Sequence, residues 1–495
     1  MRQELLRIEH VEKALYGINV LDDFMLNIFQ KEIVNLIGLA DSGKNMLINV
    51  LSGIETIDQG RVYIDETPVD LINRTLSPQN GIFCIRQQTV LVQQLSIGEN
   101  IFLIKRNNTR KFLINKRAID AQTALLLSRI DLPIPSDTLA ERLTLAQQHL
   151  IEILKAIIQG VKLIVLDDTA DTYTRKEVEK LNETLLYAKA QGISILYVSH
   201  QLENITLLSD RVVIMRGGKN VRVIWSNDLN PREVPALLLG RLYAEQSPRK
   251  PRVRDRVAMT VRELSCSGDV SDISFQLFSG EILGILDPEN KANLSLAGLL
   301  TGQIKRSSGR IELNGKSFSP RSLYSAIKEG VGLISSADLE MGILPNLTET
   351  ENLNIMILKK TSHAKILVNE RVIRYSWTKF LDHITHNNNE KQNGIYESLR
   401  ILYWRWLLYF PSVLVCVNPC AYADMMMREI ILSSLDEGAR EGIGILICSS
   451  DISELSLLCD RILILHKGEC IGELSKDEIS NGEIINLYAK YVVAM

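Results

Sequence analysis

Short runs of Val, Ile and Leu recur along the chain, separated by longer stretches with helical spacing. Residues 33–37, 163–166 and 193–198 are apolar except for Asn35 and Ser194 and too short for helices, so each predicts a strand buried on both faces. Residues 174–190 carry the spacing of a helix. Strands without a polar face that alternate with helices predict an α/β fold with a largely parallel sheet. Residues 399–417 are apolar enough to suggest a membrane span, but Arg400, Arg405 and Pro411 interrupt them. The proline predicts a helix, packed through Trp404 and Trp406, followed by a strand, each too short to cross a bilayer.

The whole pattern occurs twice. SDRVVIMRGGK at 209–219 matches CDRILILHKGE at 459–469, GISILYVSH at 192–200 matches GIGILICSS at 442–450, and KEIVNLIG at 31–38 matches GEILGILD at 280–287. The offsets of 250, 250 and 249 residues predict two homologous domains, 1–243 and 258–495. The connector 244–257, AEQSPRKPRVRDRV, has two prolines and five basic side chains and reads as a solvated linker more readily than as a nucleic-acid arm.

Composition narrows the function classes. A formal net charge of −3 over 495 residues gives no bulk attraction to nucleic acid or anionic membrane. Seven scattered cysteines without a C-x-x-C pair read as buried thiols in a reducing cytosol. The first ten residues, MRQELLRIEH, lack the apolar core of a signal peptide. His383 and His386 have no third candidate ligand nearby, so no metal site is expected there.

The chemistry concentrates in the first half. GLADSGKN, spanning Gly38, Leu39, Ala40, Asp41, Ser42, Gly43, Lys44 and Asn45, follows a predicted strand and precedes a helix-like run. Gly38-x4-Gly43-Lys44 is the spacing of a phosphate-binding loop: glycines let backbone N–H groups curl around the anion, the helix N-terminus favours it, and lysine neutralises charge. A strand–helix turn that binds nothing is the alternative reading. Asn45 stands where Ser or Thr usually supplies a hydroxyl to Mg²⁺; its amide oxygen is a possible but less usual ligand. Residues 163–168, LIVLDD, end in Asp167, a candidate Mg²⁺ ligand, and Asp168, a candidate general base; strand-end acids that cap a turn look the same. His200 closes another strand, within possible reach of a γ-phosphate or merely structural. Gln87 could touch Mg²⁺ through water. Tyr16 is a candidate for adenine stacking or for the core.

The order of these parts, with LTLAQ at 143–147 between Gln87 and Asp167, resembles an ATP-binding cassette (ABC) domain. Two such domains joined by a short linker, with QQLSIGENIFL at 93–103 and VSHQLENI at 198–205, resemble the tandem ATP-binding subunit of ribose/galactose-type ABC importers. The resemblance covers nearly the whole chain. In the second half it rests on framework segments such as SGEILGIL at 279–286 and GVGLIS at 330–335. It implies two α/β nucleotide-binding domains, each with a mostly parallel sheet flanked by helices. ATP and Mg²⁺ are the implied cofactors and transmembrane permease subunits the implied partners. The implied location is cytoplasmic, peripheral at the inner face of the membrane, without insertion; a homodimer is compatible with it.

In ABC proteins the domains pack head to tail, and each ATP lies between the phosphate loop of one and the signature loop of the other. The first site would use Lys44, Asn45, Gln87, Asp167, Asp168 and His200 under a lid from the second half. The lid's place, 393–397, reads NGIYE, and Ile395, Tyr396 and Glu397 are expected to obstruct and repel the γ-phosphate. Asp168 replaces the family's catalytic glutamate and is one methylene shorter; a displacement of roughly 1 Å can cost on the order of 10²-fold in rate. The second site would use DPENKANL at 287–294, where Asp287 and Glu289 stand in the phosphate region and Asn293 in the lysine's place. Val417 and Asn418 replace its acids, so no hydrolysis is expected there. An importer ATPase with one impaired and one dead site, and a regulatory pseudo-ATPase descended from one, both fit this pattern.

Overall fold

The computed structural model describes residues 3–15, 17–72, 74, 76, 80–102, 116–167, 173, 175–199, 208–241, 256–266, 268–288, 291–336, 342–357, 370–387, 394–421 and 423–479. The chain divides into two compact units, Met1–Tyr243 and Ala244–Met495.

The first unit holds two sheets. An antiparallel sheet has the order β2 (Ile18–Phe29), β1 (Glu4–Leu15), β4 (Gln59–Ile64), β5 (Thr67–Val69). A six-stranded sheet has the order β10 (Lys219–Trp225), β9 (Arg211–Arg216), β3 (Ile33–Gly38), β8 (Ser194–Ser199), β7 (Leu163–Asp167), β6 (Ile82–Ile85). Its strands run parallel except the edge strand β10. The apolar runs read from sequence are its central strands. The antiparallel sheet is an addition to the expected architecture.

Strand parity explains why these strands carry no polar face. Val34, Leu36, Leu163, Val165, Leu196 and Val198 pack against the helix Lys44–Leu51 and the antiparallel sheet. Ile33, Ile164, Leu166, Ile195 and Tyr197 pack the other way, against Ile151 and Leu154 of the helix Leu145–Gln159 and Leu181 and Leu185 of the helix Arg175–Ala190. At the base of β3 the buried Glu32 carboxylate receives Arg211 Nε at 2.7 Å. Paired this way, two charges that would be costly alone fasten β3 to β9.

The second unit repeats the plan. Its antiparallel sheet has the order β12 (Val270–Phe278), β11 (Val257–Cys266), β14 (Ser308–Leu313), β15 (Lys316–Phe318). Its larger sheet has the order β16 (Val331–Ser335), β17 (Val413–Val417), β18 (Gly444–Ser449), β13 (Ile282–Leu286), β19 (Arg461–His466), β20 (Glu469–Ser475). Arg461 and Glu281 reproduce the clamp, Nε to Oε1 2.6 Å. β11 begins at Val257, the last residue read as linker.

The 399–417 stretch divides as its proline predicts, into the helix Gly394–Tyr409 and β17, and no described helix is long and apolar enough to cross a membrane. Trp404 and Trp406 are buried on that helix; a Cβ on Gly332 of β16 would meet the Trp406 ring at 2.6 Å. Five of the cysteines are buried. Cys84 is half-buried and Cys470 is exposed, which corrects the expectation for those two.

Candidate functional site

In the first unit β3 runs into a tight loop that ends on the helix Lys44–Leu51. Gly43 caps that helix with φ +99°, a left-handed conformation, and a Cβ there would lie 2.4 Å from the Val20 carbonyl oxygen. A Cβ on Gly38 would lie 2.3 Å from Ser42 Oγ. Both glycines of the motif are therefore fixed by close approach. Inside the loop Ser42 donates from its amide at 3.0 Å and from Oγ at 2.7 Å to the Leu39 carbonyl. The Ser42 carbonyl accepts the Gly218 amide at 2.9 Å, which ties the loop to the turn after β9.

Lys44 is 4% exposed, and its ammonium donates to the carbonyls of Gly38 and, at 2.7 Å, Leu39. The cation thus sits inside the curl of the loop, where a phosphate would meet it. The first N–H groups of a helix have no intrahelical acceptors, and no acidic side chain occupies this first turn. Ala40 is half-buried and Asp41 is exposed. Asn45 is exposed at the second helical position, with its amide open to a ligand.

Asp167 ends β7 at the same edge of the sheet, half-buried; it pairs with Val198 on β8, and β8 pairs with β3. Gln87 follows β6 and is exposed. Its neighbour Arg86, missed in the sequence, binds the phosphate-loop helix through Asn49 Oδ1 and Ser52 Oγ, each at 2.9 Å. Asp168, His200 and Tyr16 lie outside the described residues. Leu15, beside Tyr16, is 38% exposed, and Ile18 opposite it is 68% exposed. The set fits ATP–Mg²⁺: a glycine cradle that any Cβ would fill, a lysine within it, and oxygen ligands in Asn45 and Asp167.

LTLAQ opens the helix Leu145–Gln159 as a capping box. Thr144 Oγ1 accepts the Gln147 amide at 3.3 Å, and Gln147 Oε1 accepts the Thr144 amide at 3.0 Å. One turn further, His149 and Glu152 are fully buried, a pair with no sequence signal of their own. Burial pushes the imidazole down to about 4 and lifts the carboxyl to about 7.

The second unit fills the same places with other groups. Asp287, 3% exposed, accepts the Ala292 amide at 2.8 Å on the first turn of the helix Lys291–Thr301. A carboxylate of the chain itself thus holds the place of a bound anion. Asn293, in the lysine's place, is wholly buried. Val417 points into an apolar cluster with Ile285, Ala292, Leu296 and Cys448. Asn418 turns back with φ +44°, donates to the Cys448 carbonyl at 2.8 Å and accepts the Ser450 amide at 3.4 Å.

Tyr396 corrects the reading of the lid. It is 2% exposed and turned inward, its hydroxyl donating to Asp424 Oδ2 at 2.8 Å. The other oxygen of Asp424 caps the helix Met425–Arg440 by accepting the Met427 amide at 2.8 Å. Ile395 is 46% exposed and Glu397 half-buried, so the helix presents Ile395 rather than the tyrosine.

The family described as ABC transporter matches residues 21–171, which include the phosphate loop, Gln87, LTLAQ and Asp167. The ribose import ATP-binding protein of Clostridium tetani is 30% identical over 99% of this chain and 97% of its own length. The chain belongs to the ABC transporter family. The galactose/methyl galactoside import ATP-binding protein of Clostridium perfringens matches this ABC protein at 28% identity over 99% of the chain and 96% of its own length. A solved ATP-binding cassette of an ABC transporter in its ADP conformation covers 48% of the chain at 22% identity, with a TM-score of 0.42. The two units together span 97% and 96% of the lengths of these two import proteins.

Proposed function

We propose that this ABC protein is the nucleotide-binding subunit of a sugar importer, that it binds ATP–Mg²⁺ at the first-unit phosphate loop, and that the second site is inactive. One observation carries the reading: the glycine loop of the first unit encloses Lys44 and leaves its helix N-terminus to a ligand, whereas the second unit has filled that place with Asp287. Gly38 to Lys44 would cradle the phosphates, and Asn45 and Asp167, with Gln87 through water, would hold Mg²⁺. The metal would supply charge neutralisation for the bound phosphates. Asp168 as base and His200 as a γ-phosphate contact, both assigned from the sequence, would complete the set. With the shorter Asp168, hydrolysis would be slow. Tyr16 remains the proposed adenine contact.

The names of the full-length relatives support sugar import, with permease subunits as partners at the inner face of the membrane. Val90 at 61% and Val92 at 49% exposure, next to Gln87, suit a protein surface laid against them. The apolar infill at Val417 favours a second reading, a regulatory pseudo-ATPase in which nucleotide sets shape without turnover.

The test is labelled-ATP binding to the purified protein with and without Mg²⁺, beside Lys44→Ala and Asp168→Glu. Binding lost in Lys44→Ala and turnover raised in Asp168→Glu are expected. Binding indifferent to Lys44 would sink the first-site reading. Co-purification with membrane subunits separates an importer from a soluble regulator.

A further inference from the structure

The helix Leu145–Gln159 starts at the signature-like turn, and its inner face meets two other parts of the first site. Gln148 Oε1 accepts the Thr89 hydroxyl at 2.6 Å, and Glu152 Oε1 accepts the Val90 amide at 2.8 Å. Between them His149 is 0% exposed, with the carbonyls of Arg86 and Gln87 beside its ring. On its other side Nδ1 hydrogen-bonds the hydroxyl of Tyr173, six residues after Asp167. The imidazole therefore lies where three segments converge: the turn that carries Gln87, the chain that leaves Asp167, and the helix that opens with LTLAQ.

A buried imidazole is a rigid planar spacer with one nitrogen at each end. Held neutral by burial, it shares one hydrogen bond with the tyrosine hydroxyl through Nδ1 and turns its other side to the Gln87 turn. The backbone of Arg86 and Gln87 lies against the buried ring on the side away from Tyr173.

We propose that His149 is a positioning residue of the first site, a pin that sets the spacing between the Gln87 turn and the chain after Asp167. Both segments supply groups for Mg²⁺ in the reading above, on which this inference rests. His149 touches neither nucleotide nor metal; it acts through Gln87 and through Tyr173. Loss of the pin leaves the phosphate loop intact and lets the metal-side groups drift apart.

The experiment has two arms, on the full chain with His149→Ala, His149→Asn and Tyr173→Phe. The first reads amide hydrogen exchange in the nucleotide-free protein. Exchange at residues 86–90 is expected to quicken roughly tenfold in His149→Ala, less in Tyr173→Phe, and to recover partly in His149→Asn, which keeps an amide near Nδ1. Unchanged exchange at 86–90 in His149→Ala overturns the proposal, whatever the nucleotide does. The second arm reads ATP binding with and without Mg²⁺. Mg²⁺-free binding should stay within about twofold of the parent, while the gain on adding Mg²⁺ should fall roughly tenfold, a change of about 1.4 kcal/mol. A general loss of stability would lower both alike and would overturn the positioning role. If the parent shows no Lys44-dependent ATP binding, the ATP reading fails by itself, and the exchange arm still decides on the pin. Tyr173→Phe keeps the test valid if His149→Ala fails to fold.

Discussion

The carboxylate of Asp287 accepts the Ala292 amide at 2.8 Å and so serves as the resident anion of the helix Lys291–Thr301. Its replacement by alanine should destabilise the second unit by about 1–2 kcal/mol, the usual cost of losing a charged cap. Denaturant melts of the full chain check this. The variant should still bind no nucleotide there, because Asn293 and Val417 remain.

The clamp residues Glu32 and Glu281 make a paired prediction. Glu32→Ala leaves the buried Arg211 with only the neutral oxygens of Asn27, whereas Glu281→Ala leaves Arg461 with the Glu473 carboxylate and a backbone carbonyl. The first should cost about 3–5 kcal/mol in its unit, and the second should cost less. Unfolding followed separately in each unit compares the two.

Glu454 predicts a pH effect confined to the second unit. Burial, reinforced by Asp451, lifts its carboxyl from 4.5 to about 7. Between those values the folded protein holds a proton that the unfolded chain has released, so this residue lowers stability as pH rises through the window. Glu454→Gln should match the parent below pH about 4.5 and exceed it by up to about 3 kcal/mol above pH about 8. Thermal melts across that range measure the difference; a constant offset would contradict the buried charge.

The phosphate loop allows changes in both directions. Gly43→Ala places a Cβ 2.4 Å from the Val20 oxygen at φ +99°, and should abolish Lys44-dependent ATP binding and cost at least about 2 kcal/mol. Asn45→Thr restores a hydroxyl at an exposed position and should strengthen Mg²⁺-dependent binding roughly tenfold. Calorimetric titration reads both.

The features legible in the sequence were those that short range decides. Gly38, Gly43 and Lys44 make their contacts within a few residues, so their spacing carries the geometry. The inner strands were legible because both faces are buried. β1 and β2 were not, since bulges near Ile8, Val11 and Lys13 and positive φ at His10 and Asp23 break the two-residue period. Tyr396 was misread because its direction is set by Asp424, 28 residues on, and not by its own motif. His149 gave no signal for the same reason: its partners come from 86–87 and from 173.

Val417 sets what a metal carboxylate would cost in the second unit. A carboxylate placed there by Val417→Asp would enter a cluster of Ile285, Ala292, Leu296 and Cys448, a burial that costs several kcal/mol without a cation to meet it. Asp287 meanwhile caps the neighbouring helix through the Ala292 amide. A metal site could therefore be installed in this unit only by several substitutions made together, each of them destabilising alone.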